Sequence, residues 1–80
     1  EKKLVASITT DGRMEINREP VDQGDLEQVL LREKQSTRSL TLILRTDKEA
    51  KHKWVLFILE AAKRVGVDTI LLATEDEKDG

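Results

Sequence analysis

Leu4, Ala6 and Ile8 recur at every second position over 4–9, apolar and polar residues alternate over 13–17, and Asp11-Gly12 lies between the two runs. Period-two alternation is the mark of a half-buried strand, and Asp-Gly between two such runs signals a hairpin. Two registers are open. A two-residue Asp-Gly turn sets Ile8 opposite Glu15 and mixes apolar and charged side chains on one face. A three-residue loop, Thr10-Asp11-Gly12, pairs Ile8 with Met14 and Ala6 with Ile16. It also puts Gly12 at the left-handed position of a bulged turn, where glycine has no Cβ penalty. Pattern and turn chemistry agree on the second register, which is the one predicted.

Pro20 cannot donate to a ladder and is predicted to end the hairpin. Asp22 then reads as an N-cap, with Asp25 in the first turn where the helix dipole favours a negative charge. Val21 and Leu26 have the spacing of a hydrophobic staple around that cap. Leu26, Val29 and Leu30 form one apolar stripe, and the spacing predicts a first helix over about 23–34. A polar loop over 35–39 leads to Leu40-Thr41-Leu42-Ile43-Leu44, apolar at every position but Thr41, the pattern of a mostly buried strand. The second helix is predicted over about 50–65, with Gly66 as its left-handed C-cap and Lys63 and Arg64 in its last turn. Thr69 to Ala73 is the last strand. A strand–helix–strand run of this length accommodates a right-handed parallel crossover. The fold class predicted is α+β, a two-layer ββαβαβ arrangement with a mixed sheet and both helices packed on one face. One domain covers 1–75, and 76–80 reads as a disordered acidic tail.

The chain has 80 residues, 38% of them hydrophobic, enough for one thin core. It holds no cysteine and a single histidine, which excludes disulfides, a thiol nucleophile and a multi-histidine metal site. With a formal net charge of -2 and two aromatic residues, Trp54 and Phe57, it offers neither a strong field for nucleic acid nor a base-stacking platform. The longest apolar run, Trp54 to Leu59, is far short of the roughly 20 residues of a membrane span. The chain opens on Glu1 without Met or a signal-peptide pattern, which fits a piece of a longer protein. No catalytic set stands out. Ser7, Ser36 and Ser39 lack a nucleophile-elbow context, Asp22 and Asp25 read as a helix cap, and no glycine-rich phosphate loop is present. No enzymatic activity and no cofactor are expected.

The order of elements carries a resemblance. Asp11-Gly12-Arg13-Met14-Glu15-Ile16-Asn17 resembles the first hairpin of the ExbD/TolR periplasmic domain. Glu19-Pro20-Val21, followed by Leu26 and Leu30, is similar to that family's Pro-Val approach to its first helix. Arg45-Thr46-Asp47-Lys48 resembles the segment after its third strand. Val55, Ile58, Leu59, Ala61, Gly66 and Val67 fall on the apolar positions and close of its second helix, and Leu72-Ala73-Thr74-Glu75 on the end of its last strand. The likeness runs from about Leu4 to Glu75. It implies the periplasmic domain of an inner-membrane protein whose single N-terminal transmembrane helix is not in this chain. Such a protein works beside a channel subunit of ExbB or TolQ type. It uses the proton motive force to drive a protein of TonB or TolA type in biopolymer transport; whether the domain also grips peptidoglycan is left open by the sequence. The alternative is a small cytosolic α/β module that binds protein or nucleic acid, since fold does not fix function. An upstream stretch of about 20 apolar residues carrying one Asp would distinguish the two.

Two features suggest where partners bind. Ile43 and Leu71 have the opposite parity to Leu42, Leu44, Ile70 and Leu72, so they belong to the second face of the sheet. A homodimer, or addition of a partner strand at a free sheet edge, is expected. Lys48, Lys51 and Lys53 crowd the start of the second helix, where cations are unfavourable, and His52 sits among them. Val55, Ile58, Leu59, Ala62 and Val65 gather on one side of that helix as its core face. Trp54 falls at the margin of this stripe and Phe57 on the wet side, beside Lys53, Glu60 and Arg64. The family usually has charged residues where Trp54 and Phe57 stand. Lys51, Lys53, Trp54 and Phe57 are therefore the candidate partner-binding residues.

Overall fold

A computed structural model describes residues 1–75 of the chain, so the acidic tail predicted over 76–80 lies outside the described residues. The chain opens with β1 (Lys2–Ile8) and β2 (Met14–Ile16), paired antiparallel with Ala6 opposite Ile16 and Ile8 opposite Met14. This is the three-residue-loop register. Thr9 N–H donates to Arg13 O at 2.9 Å and Gly12 N–H to Thr9 O at 3.0 Å, closing the loop over residues 10–12. Gly12 has φ of 89°, as the bulge requires.

Pro20 does not end the pairing. It lies in β3 (Glu19–Val21), which returns antiparallel to β2 with Pro20 opposite Glu15. The strand order is β3-β2-β1-β4-β5, so β3 is an edge, the place in a sheet where a residue without N–H is tolerated.

Helix α1 (Gln23–Gln35) follows an extended Asp22 at its N-cap. The Asp22 side chain makes no capping bond, and its carbonyl accepts the Asp25 N–H at 2.9 Å instead. Leu26 and Leu30 are fully buried and Val29 packs beside them. Strand β4 (Leu40–Asp47) runs parallel to β1, and β5 (Thr69–Glu75) runs parallel to β4 after α2 (His52–Val65). Both strands exceed the expected runs because parallel pairing carries the backbone on through Arg45, Thr46 and Asp47, opposite Ala73, Thr74 and Glu75. Gly66, at φ of 90°, ends α2 in the left-handed conformation and bonds back to the Ala62 and Lys63 carbonyls.

One core forms between the layers. Leu4, Ala6 and Ile8 of β1, Met14 and Ile16 of β2, and Leu40, Leu42 and Leu44 of β4 meet Leu26 and Leu30 of α1 and Ile58, Ala61 and Ala62 of α2. All the strand residues share one parity, so both helices cover the same face. Asp68 ties the layers at one end: it accepts the Leu40 N–H at 2.8 Å and Lys34 Nζ at 2.9 Å, while its own N–H donates to Leu40 O at 3.0 Å.

Candidate functional site

Strand β5 is the second edge of the sheet and has no partner on its outer side among the described residues. Its sequence over 69–75, Thr-Ile-Leu-Leu-Ala-Thr-Glu, contains no proline or lysine, residues that blunt natural edges, and its one charged residue is the terminal Glu75. Leu71 is 51% exposed and Leu72 61% exposed. Register places Leu71 across from Ile43 on the uncovered face, as parity predicted, and Leu72 across from Leu44 on the helix face. Leu72 thus belongs to the core side by parity and yet remains open to solvent.

The orientation of α2 explains this. Arg64 of α2 donates to Glu27 of α1 at 2.9 Å, so this side of α2 faces its neighbouring helix. The fully buried positions of α2 are Ile58, Ala61 and Ala62. Relative to the stripe expected from sequence, the buried arc is turned by roughly 40° toward α1. Val55 and Leu59 are left half-buried on the β5 side. A groove of about 300 Å³ lies there, between the C-terminal half of β5 and the start of α2, and Thr46, Lys48, His52, Val55, Leu72 and Thr74 are among its lining residues.

The same rotation corrects the expectation for Phe57, which is half-buried and packs against the core instead of standing on the wet side. Its helical neighbour Arg64 shows why: an arc that looks wet for a helix on a sheet alone is partly covered when a second helix lies alongside. The large exposed hydrophobic residue of α2 is Leu56, 45% exposed, which sequence reasoning did not single out. Trp54 is half-buried, as its marginal position predicted. Its indole lies against the hairpin loop, where a β-carbon at Gly12 would sit 2.9 Å from Trp54 Nε1. Lys53 Nζ stands 5.0 Å from the indole centroid, a cation–π contact.

The lysine cluster is exposed where expected. Lys51 is the N-cap of α2, extended and without a side-chain capping bond, and the first turn holds no acidic residue. Asp47 shapes the approach: its Oδ1 accepts the Glu49 N–H at 2.8 Å and its carbonyl accepts the Ala50 N–H at 2.9 Å. Lys51, His52 and Lys53 are exposed, and His52 lines the groove together with Lys48 and Leu72. The structure therefore brings an open strand edge, an apolar groove and a cationic helix start into one region. Among the described residues no group of three or more His, Cys, Asp or Glu could hold a metal ion, and no helix is long and apolar enough to cross a membrane.

The family model described as "Biopolymer transport protein ExbD/TolR" matches residues 1–77. Among curated proteins none matches the chain.

Proposed function

The chain belongs to the ExbD/TolR family of biopolymer transport proteins, and on that premise we propose that it is the non-catalytic periplasmic domain of an inner-membrane energy-transducing complex. In this reading it works beside an ExbB- or TolQ-type channel subunit and passes the effect of the proton motive force to a TonB- or TolA-type protein. Its contribution is to bind: it pairs with a second copy of itself or takes up a strand of the driven partner. The observation that supports this best is the unprotected edge of β5, with Leu71 and Leu72 exposed on its two faces. An extended segment added there would gain main-chain hydrogen bonds and bury side chains alternately on the open face and in the groove beside α2.

The exposed cations Lys51 and Lys53, with the uncovered edges of Trp54 and Phe57, supply a second contact surface at the start of α2, apart from that groove. Light scattering over a range of concentrations tests the dimer, and titration with candidate partner strands, followed by amide resonances, tests strand addition. A strict monomer at high concentration removes the first mode. Unmoved β5 amides with every candidate strand remove the second.

A further inference from the structure

Charge is distributed unevenly between the two ends of the domain. One end is built from the start of β1, the loop over 36–39 between α1 and β4, and the turn over 66–68 between α2 and β5. Backbone bonds join these segments: Lys2 N–H donates to Ser39 O at 2.9 Å, and Asp68 N–H to Leu40 O at 3.0 Å. Two lysines here are held by acids, Lys2 by Glu33 and Lys34 by Asp68. Lys3, Arg38 and Lys63 are exposed and make no ion pair among the described residues. With Glu33 and Asp68 occupied, Glu1 is the acid left to oppose them at this end. The opposite end, where β1, β3 and β4 finish and both helices begin, is mixed. There the exposed acids Asp11, Asp22 and Glu49 stand among Arg13, Lys51 and Lys53. A chain of net charge -2 thus collects unpaired positive charge where its parallel strands start.

Helix C-termini favour cations, which accounts for Lys63 in the last turn of α2. It does not account for Lys3, on the uncovered face of the sheet, or for Arg38, in the loop before β4. The three cations come from three separate segments, so their charge is spread across the end of the domain. Both aromatic residues lie in the first two turns of α2, toward the other end, which leaves this end without a stacking platform for nucleic-acid bases. Spread cations on flexible stems fit a plane of negative charge, and each Lys or Arg near an anionic membrane surface strengthens attachment about fivefold.

We propose that this end of the domain rests on a bilayer containing anionic lipid, with Lys3, Arg38 and Lys63 against the headgroups and the start of α2 held away from the membrane. The orientation rests on the reading of the chain as part of an inner-membrane complex, since β1 starts at this end and a segment leading from a membrane anchor would enter here. The attachment itself follows from the charge pattern and needs neither a partner strand nor a second copy.

The test sediments the 80-residue chain with vesicles of equal parts phosphatidylglycerol and phosphatidylcholine, and with vesicles of phosphatidylcholine alone. The chain should pellet with the anionic vesicles only, and less as salt rises. When these vesicles carry a gadolinium-chelate lipid, they should broaden the amide resonances of Lys3, Arg38 and Gly66 more than those of Gly12 and Glu49. Lys3→Gln and Arg38→Gln should each lower partitioning about threefold or more, and together about tenfold or more. Arg13→Gln, at the mixed end, should leave it unchanged. Thermal melts of all these variants should match the parent, because the three side chains are exposed. Failure here would leave binding at the β5 edge untouched. No pelleting with anionic vesicles, equal pelleting with both kinds, an equal loss in Arg13→Gln, broadening centred on the start of α2, or tighter binding of a single-stranded oligonucleotide would each overturn the proposal.

Discussion

The indole of Trp54 rests on the backbone of Gly12, joining the first turn of α2 to the loop between β1 and β2. The contact leaves no room for a side chain at position 12, where a β-carbon would meet Nε1 at 2.9 Å and Cε2 at 3.1 Å. Gly12 is thus constrained twice, by its φ of 89° and by its neighbour.

Gly66 has nearly the same φ, 90°, with nothing within 4 Å of its would-be β-carbon. The two glycines therefore separate backbone strain from steric exclusion. Gly66→Ala should cost about 1 kcal/mol, and Gly12→Ala about 2–3 kcal/mol, because the ring must also shift. Urea unfolding followed by circular dichroism measures both. Trp54 is the only tryptophan, so its emission should change in the Gly12 variant alone. Equal losses would show that the indole does not press on the loop.

Phe57→Glu places a charge at a half-buried position packed on the core. It should destabilise the fold by about 1–3 kcal/mol in denaturant unfolding. Lys51→Glu and Lys53→Glu, on exposed side chains, should change stability by less than about 0.5 kcal/mol. These two variants therefore test partner affinity without the complication of lost folding. A neutral Phe57→Glu would return this ring to the solvent side of the helix.

The Asp68 carboxyl is held below its ordinary value of 3.8, first by the Leu40 N–H and then by Lys34. A lowered folded pKa favours the native state wherever the carboxylate is ionised in both states. The contribution is complete above the ordinary value and is lost as pH falls from there through the lowered one. Asp68→Ala should be less stable than the parent at neutral pH, and thermal melts should show the difference shrinking below about pH 4. A difference independent of pH would mean that charge plays no part in this tie.

Leu71→Lys and Leu72→Lys should each alter stability by less than about 0.5 kcal/mol, because both side chains are more than half exposed. A lysine on an edge strand opposes further pairing. Sedimentation should therefore show weaker self-association in either variant. Loss of folding in Leu72→Lys would mean that the groove beside α2 is closed in solution.

Local signals carried much of this architecture. The pairing of Ile8 with Met14 followed from parity and from the need for glycine at position 12, both properties of a few neighbouring residues. The stripe of Leu26 and Leu30, the left-handed Gly66 and the second-face position of Leu71 were legible for the same reason. Each depends on a period or a φ preference confined to one element. The resemblance of the ordered segments pointed to the family that the match over residues 1–77 then established.

What depended on neighbours could be decided only by the assembled layers. Pro20 became part of an edge strand because β2 had an open side to receive it. Phe57 was covered because α1 lies beside α2, and Leu72 was left bare because α2 turned toward α1 and away from β5. The seat of Trp54 on Gly12 joins residues far apart in the chain. Periodicity states which side of an element is apolar. How far that side is buried depends on the width and angle of what packs against it, and those are set only when the two helices and the sheet come together.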